Sequence, residues 1–165
     1  MPEDNFEYLY KQGIGFSDLE KYEDALTCLE KAIELSSNNN DLSDAWTEKG
    51  FVKEALKDFD SAIFCQTKAI EFNPKNADAW YMKGVSFGKQ KKYFDAEVCY
   101  KKALDINPND NQSLDNLGNV RFDLEDYNGA ITYYNQSISV DPNQCLPWQM
   151  KAMALKELGL SDEAE

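Results

Sequence analysis

The chain has 165 residues, a formal net charge of −13, no histidine, 42% apolar residues and 13% aromatics. That length is one domain's worth, and the apolar content argues against disorder despite the charge. The acidity excludes nucleic acid and anionic membrane as natural partners, since both want clustered Lys and Arg, and the missing histidine removes His-based triads, zinc motifs and general bases.

The start, Met1-Pro2-Glu3-Asp4-Asn5-Phe6, has no charged-then-apolar leader pattern, and no 18-residue apolar run follows. The expectation is a soluble cytoplasmic protein with no membrane contact. Leu9, Gly13 and Phe16, then Tyr22, Ala25, Leu29 and Ala32, mark the apolar faces of two amphipathic helices joined by a turn. A second pair follows with Trp46, Gly50, Phe59, Ala62 and Ala69, closed by Pro74. The third carries Trp80, Gly84, Phe87, Tyr93, Ala96, Tyr100 and Ala103. Its predicted turn is Lys89 to Lys92, and Asn107-Pro108 ends it because the residue before proline is pushed out of the helical region. Asp110 is placed to cap the next helix. The fourth pair holds Leu114, Leu117, Gly118, Tyr127, Ala130, Tyr134 and Pro142, and a partial fifth begins near Cys145 with Trp148 and Ala152.

These residues recur every 34 positions: Gly50, Gly84, Gly118; Ala62, Ala96, Ala130; Pro74, Pro108, Pro142. Such a period means stacked copies of one unit sharing a continuous core. Glycine inside a helix costs about 0.5–1 kcal/mol relative to alanine, so its recurrence implies that two helices approach closely there. The reading places both Gly84 and Ala96 at that crossing, with Trp80 and Tyr100 filling the space on either side.

The pattern W-x-x-x-G-x-x-F/Y followed by aromatic, Ala, aromatic, Ala and Pro resembles the tetratricopeptide repeat family. The resemblance implies an all-α fold, a right-handed α-α superhelix of helix-turn-helix hairpins, in one domain over 1–165. Its units are 6–39, 43–76, 77–110 and 111–144, with a partial fifth over 145–165. Two departures stand out. Gly13 and Gly50 are 37 residues apart, which predicts a longer, wetter turn around Ser36–Asn40 or a looser joint. Ser161-Asp162-Glu163-Ala164-Glu165 reads as the first turn of a second helix that stops short. Trp148, Ala152 and Leu155 would then face a missing partner helix, implying a fragment or an end covered by another copy.

By the same resemblance, the first helix of each hairpin lines a concave groove. The residues carried onto it are Glu7, Tyr10, Lys11 and Ile14; Asp44, Thr47, Glu48 and Phe51; Asp78, Tyr81, Met82 and Val85; Gln112, Asp115, Asn116 and Asn119; and Leu146, Gln149, Met150 and Met153. Family members that clamp a carboxylate tail use Lys and Asn at such positions. Here they hold Tyr10, Ile14, Glu48, Asp78 and Met82, with only Lys11 basic, which excludes that clamp. An apolar strip edged by carboxylates instead suits an amphipathic helix or apolar peptide flanked by basic residues.

Chemistry is otherwise sparse, and no catalytic residue, cofactor or metal is predicted. Asp105-x-Asn107-x-Asn109 imitates a calcium loop, but Asp110 replaces the required glycine and Asn116 the required glutamate. Lys89-Gln90-Lys91-Lys92 reads as a solvated turn, and the acceptor patterns at Asn111 and Asn135 as chance. Cys28, Cys65 and Cys99 share one column about 10 Å apart in a stack, too far for a disulfide, which needs about 7 Å or less; they read as reduced packing residues. Three functions stay open: a protein-interaction scaffold, a self-assembling scaffold joined through Trp148 and Leu155, and the substrate-presenting part of a larger enzyme.

Overall fold

The computed structural model describes residues 5–160. Among the described residues there are nine α-helices and no strand: α1 (Phe6–Asp18), α2 (Tyr22–Leu35), α3 (Asn39–Ala55), α4 (Phe59–Phe72), α5 (Ala77–Lys89), α6 (Tyr93–Ile106), α7 (Asn111–Asp123), α8 (Tyr127–Val140) and α9 (Cys145–Glu157). The stretch predicted to open a further helix, Ser161–Glu165, lies outside the described residues. Consecutive helices pack as hairpins, α1 on α2 through α7 on α8, and α9 packs on α8. The odd-numbered helices also touch one another directly, α1 to α3, α3 to α5, α5 to α7 and α7 to α9. No two even-numbered helices do so among the described residues, so the stack curves with its first helices on the inside.

Local chemistry sets the helix ends. Asn5, Asn38, Asn76 and Asp110 cap the first helices, their side-chain oxygens accepting backbone N–H groups of the opening turn. Each described hairpin turn passes through one residue of positive φ, at Glu20, Lys57, Lys91 and Glu125, and Gly159 after α9 also has positive φ. The next N–H then donates to the carbonyl five residues back, as in Asp58 to Lys53 at 2.9 Å and Lys92 to Phe87 at 2.9 Å. The predicted stop at Asn107-Pro108 is real, since α6 ends at Ile106. The indole N–H groups of Trp80 and Trp148 donate to the carbonyls of Pro74 and Pro142, both at 3.1 Å, and brace the turns between hairpins.

Two local expectations are corrected. The three extra residues between units one and two do not loosen the joint. α3 has 17 residues where α1, α5, α7 and α9 have 13, so the insertion adds helix and leaves only Ser36–Asn38 between α2 and α3. Asn38 caps that extended end by accepting from Asn40 and Asp41, which is why an asparagine-rich stretch becomes helix start rather than loop. Tyr100, in turn, does not fill the side of the glycine crossing but sits directly on it. A Cβ on Gly84 would lie 2.6 Å from Cε1 of Tyr100, and the same relation holds for Gly13 with Leu29, Gly50 with Gln66 and Gly118 with Tyr134. Ala96 sits beside Tyr100 in the same buried cluster, while Trp80 is half-buried at the turn.

Cys65 and Cys99 are buried, Cys28 is half-buried, and all four cysteines are unbridged. Replacing Gly84 with alanine should therefore destabilise the fold by about 1–3 kcal/mol through overpacking against the buried Tyr100 ring. Gly15 lies in α1, and a Cβ at that position would meet nothing within 4 Å; Gly15→Ala should stabilise by roughly 0.5–1 kcal/mol from helix propensity alone. Urea denaturation midpoints of the two variants, moving in opposite directions, check this.

Candidate functional site

The first helices bring the predicted groove residues together most clearly where α1, α3 and α5 meet. Ile14, Asp18, Thr47, Glu48, Phe51, Asp78, Tyr81, Met82 and Gln112 line a cavity of about 380 Å³. Phe51 is 44% exposed although it sits in mid-helix. Helical spacing explains the grouping: Ile14 and Asp18, like Glu48 and Phe51, are three or four residues apart and share a face. Asp18 is the residue that sequence reading missed. It continues the stripe of Glu7, Lys11 and Ile14 by one more turn, a signal present in the spacing.

The cavity is electrically unbalanced. Burial, reinforced by the carboxylates of Asp18, Asp44 and Asp78, pushes Glu48 above the ordinary carboxylate range. Asp44 is raised by burial and then by Asp41 and Asp78. Tyr10 is pushed up to about 12 by burial first and by Glu48 and Asp44 next. Lys11, the one predicted groove cation, is exposed and bonded to Glu7 at 2.7 Å. Among the described residues, none of Asp18, Glu48 or Asp78 forms an ion pair within 4 Å.

The remaining predicted residues divide. Tyr10 is half-buried, stacks on Phe6 at 5.4 Å between centroids and packs on the Ala25–Leu29–Val52 cluster. Tyr81 likewise leans on the cluster of Ala96, Tyr100, Leu117 and Val120, and its hydroxyl accepts from the Asn116 amide at 3.3 Å. Thr47 is buried and belongs to a polar seam: its hydroxyl donates to the Ser43 carbonyl, and its own carbonyl accepts from Gln66. Val85, Asn116 and Asn119 line a second, smaller cavity of about 180 Å³ with Tyr93, Val120 and Asp123. There Asn119 accepts from the Tyr134 hydroxyl at 2.9 Å, so both asparagines spend amide atoms on the stack itself. Asp115 is half-buried, and burial raises its carboxyl. Met150 packs on the Ala130–Tyr134–Ala154 cluster, and Met153 is half-exposed.

Trp148 is 48% exposed, as is much of the α9 surface around Leu146. Leu155 is not: at 6% exposure it offers no contact area, which corrects its assignment to a self-association surface. Its column, shared with Phe87 and Arg121, is covered in the inner hairpins too, where both are half-buried. Among the described residues no group of His, Cys, Asp and Glu is placed to hold a metal ion, and no helix is long and apolar enough to cross a membrane.

The charge crowding has a measurable consequence. Unfolded, Glu48 ionises at the ordinary 4.5; folded, it ionises at a higher pH. The folded state therefore binds the proton more readily, and the charge penalty is full above the raised value and vanishes as pH falls to about 4.5. Glu48→Gln should raise Tm by roughly 2 °C at pH 7, with the gap closing as pH drops through that window. A gap independent of pH would show that Glu48 carries no such penalty.

The tetratricopeptide repeat model matches residues 6–39, 43–76 and 112–144 in one version and 77–110 in another. Among solved structures, a crystal structure of MamA protein superposes with a TM-score of 0.84 at 21% identity, covering 99% of this chain and 87% of that one. YrrB, described as a TPR protein with an unusual peptide-binding site, superposes at 0.76 with 20% identity, covering 95% of this chain and 79% of that one. The first TPR of Spaghetti (RPAP3), bound to the HSP90 peptide SRMEEVD, gives 0.71 at 22% identity, covering 73% of this chain and 95% of that one. No curated protein sequence matches. With four matched repeats spanning most of its length and the hairpin stack that they predict, the chain belongs to the tetratricopeptide repeat family.

Proposed function

We propose that the chain is a protein-interaction scaffold that takes a peptide or helical segment of a partner protein into its concave groove. The observation that carries the reading is the cavity between α1, α3 and α5, where Phe51 stands exposed beside Met82 and Ile14 under a rim of carboxylates. Large apolar side chains held open on the inner face of a rigid stack cost stability unless something covers them. Two structural relatives, RPAP3 and YrrB, are described as binding peptides. The peptide in the RPAP3 structure, SRMEEVD, ends in acidic residues. This groove would repel such a tail, because Lys11 is committed to Glu7 and the neighbouring positions are Glu48 and Asp78. The partner segment is apolar with flanking basic residues, and no catalytic step is assigned. Four unbridged cysteines fit a reducing compartment, the cytoplasm.

Because Tyr81 leans on the core, it is a poor probe of binding, and Phe51 with Met82 is the cleaner pair. Phe51→Ala/Met82→Ala should lower partner capture from source-cell extract by about tenfold or more while shifting Tm by only a few degrees. Capture that is unchanged in the folded double variant would refute the groove reading. A second reading, self-association through α9, is favoured by the half-exposed Leu146, Trp148 and Met153. If it holds, light scattering coupled to size exclusion shows a dimer or larger species that Trp148→Glu converts to monomer; a monomeric wild type contradicts it.

A further inference from the structure

We infer that the pocket framed by Asp18, Glu48 and Asp78 receives one lysine or arginine side chain of the bound segment, its stem against Ile14, Phe51 and Met82 and its cationic head among the three carboxylates. The inference rests on the groove reading above and adds the chemistry of the anchor. The three acids come from three different helices, α1, α3 and α5, so the pocket exists only in the stacked hairpins. At about 380 Å³ it lies within the range of ligand clefts, roughly 300–1,000 Å³.

Charge complementarity selects the occupant. The lysines of α1 and α3 are committed elsewhere: Lys11 to Glu7 at 2.7 Å, Lys49 to Glu30 at 2.8 Å and Lys53 to Asp58 at 3.8 Å. Glu48 and Asp44 are held above the ordinary range by burial and by their acidic neighbours, a mutual repulsion that a cation would relieve. An anion or an acidic peptide would increase it. The aromatic surroundings point the same way. Trp46, Trp80 and Trp148 each carry a lysine three residues on, with ammonium-to-ring distances of 5.0, 5.7 and 5.5 Å. Phe51 and Tyr81, which face the acidic cavity, have no such cation among the described residues. A lysine or arginine supplies both a long apolar stem and a head suited to carboxylates and ring faces. A purely apolar anchor would leave the three carboxylates uncompensated and further desolvated.

Methyl NMR on the full chain labelled at methionine tests this, because Met82 lines the pocket and Met153 lies on α9. The probes are Ac-Gly-Leu-Lys-Leu-Gly-amide, the same peptide with arginine, and the same peptide with norleucine, which keeps the lysine stem without its charge. About 150 mM salt screens the general attraction of a chain carrying −13. The lysine and arginine peptides should shift the Met82 methyl saturably, at least about tenfold more tightly than norleucine, and leave Met153 unmoved. Glu48→Gln should weaken lysine binding by about tenfold and spare norleucine, whereas Glu125→Gln, the same loss of charge at a hairpin turn, should change neither. Equal affinity for lysine and norleucine overturns the cation pocket while leaving the groove intact. So does equal weakening by both glutamate variants, or a Met82 methyl unmoved by any peptide. Failure of the groove itself shows separately, as unchanged partner capture by the Phe51/Met82 variant.

Discussion

Each hairpin depends on one close approach, a glycine in the first helix under a large side chain sixteen residues later in the second. Leu29, Tyr100 and Tyr134 each settle onto the backbone at Gly13, Gly84 and Gly118, and Gln66 does so at Gly50. That contact fixes how the two helices cross, and the crossing decides which face of the first helix is used up in packing. The opposite face is left to point inward, where successive first helices touch and build one continuous surface. The groove is thus a by-product of the core: residues that pack the hairpin cannot also reach a partner, and those that miss the glycine side have nowhere else to point. Gln66 shows how far the scheme tolerates variation. It replaces an aromatic ring by a buried amide that donates to Thr47, and Asn76 extends that polar seam by donating to Ser43 and Thr47.

The inner surface is built against its own stability. Four carboxylates, at Asp18, Asp44, Glu48 and Asp78, crowd around exposed and half-exposed apolar side chains, and burial together with mutual repulsion holds Glu48 and Asp44 above the ordinary range. On the other side of the stack some carboxylates are paired: Glu97 sits between Lys101 and Arg121, and Arg121 also reaches Asp126. The crowding marks this face more narrowly than fold similarity can, since the relatives share this architecture at about one residue in five and a repeat scaffold serves many partners.

Much of the fold was legible in the sequence because its signals were periodic. Glycine, alanine, tryptophan and proline at 34-residue spacing located the hairpins, and Pro108 marked the end of α6. What escaped lacked a periodic letter. The positive-φ turn residues form a column, but four of its five members are Glu or Lys, so nothing in their identity announces the conformation. The insertion before α3 looked like a loop because it is rich in asparagine, yet Asn38 used that chemistry to cap a longer helix. At the groove, the family resemblance put Ile14, Glu48, Phe51, Asp78 and Met82 on the inner face, and all five line the one cavity. It could not tell that Tyr10 and Tyr81 lean back on the core, or that Leu155 is buried, because those outcomes depend on the depth of neighbouring hairpins rather than on angle around one helix.

The central claim is that the inner face, and not the outer one, meets the partner. Phe51 and Phe94 allow a matched comparison, since both are exposed phenylalanines, at 44% on the first helix of one hairpin and 74% on the second helix of the next. Each can be replaced in turn by a photo-crosslinking phenylalanine analogue in the source cell, and the covalent adducts compared. The account predicts a discrete protein adduct from position 51 and little from position 94, despite the greater exposure of the latter. Adducts dominated by position 94, with none from 51, would contradict it.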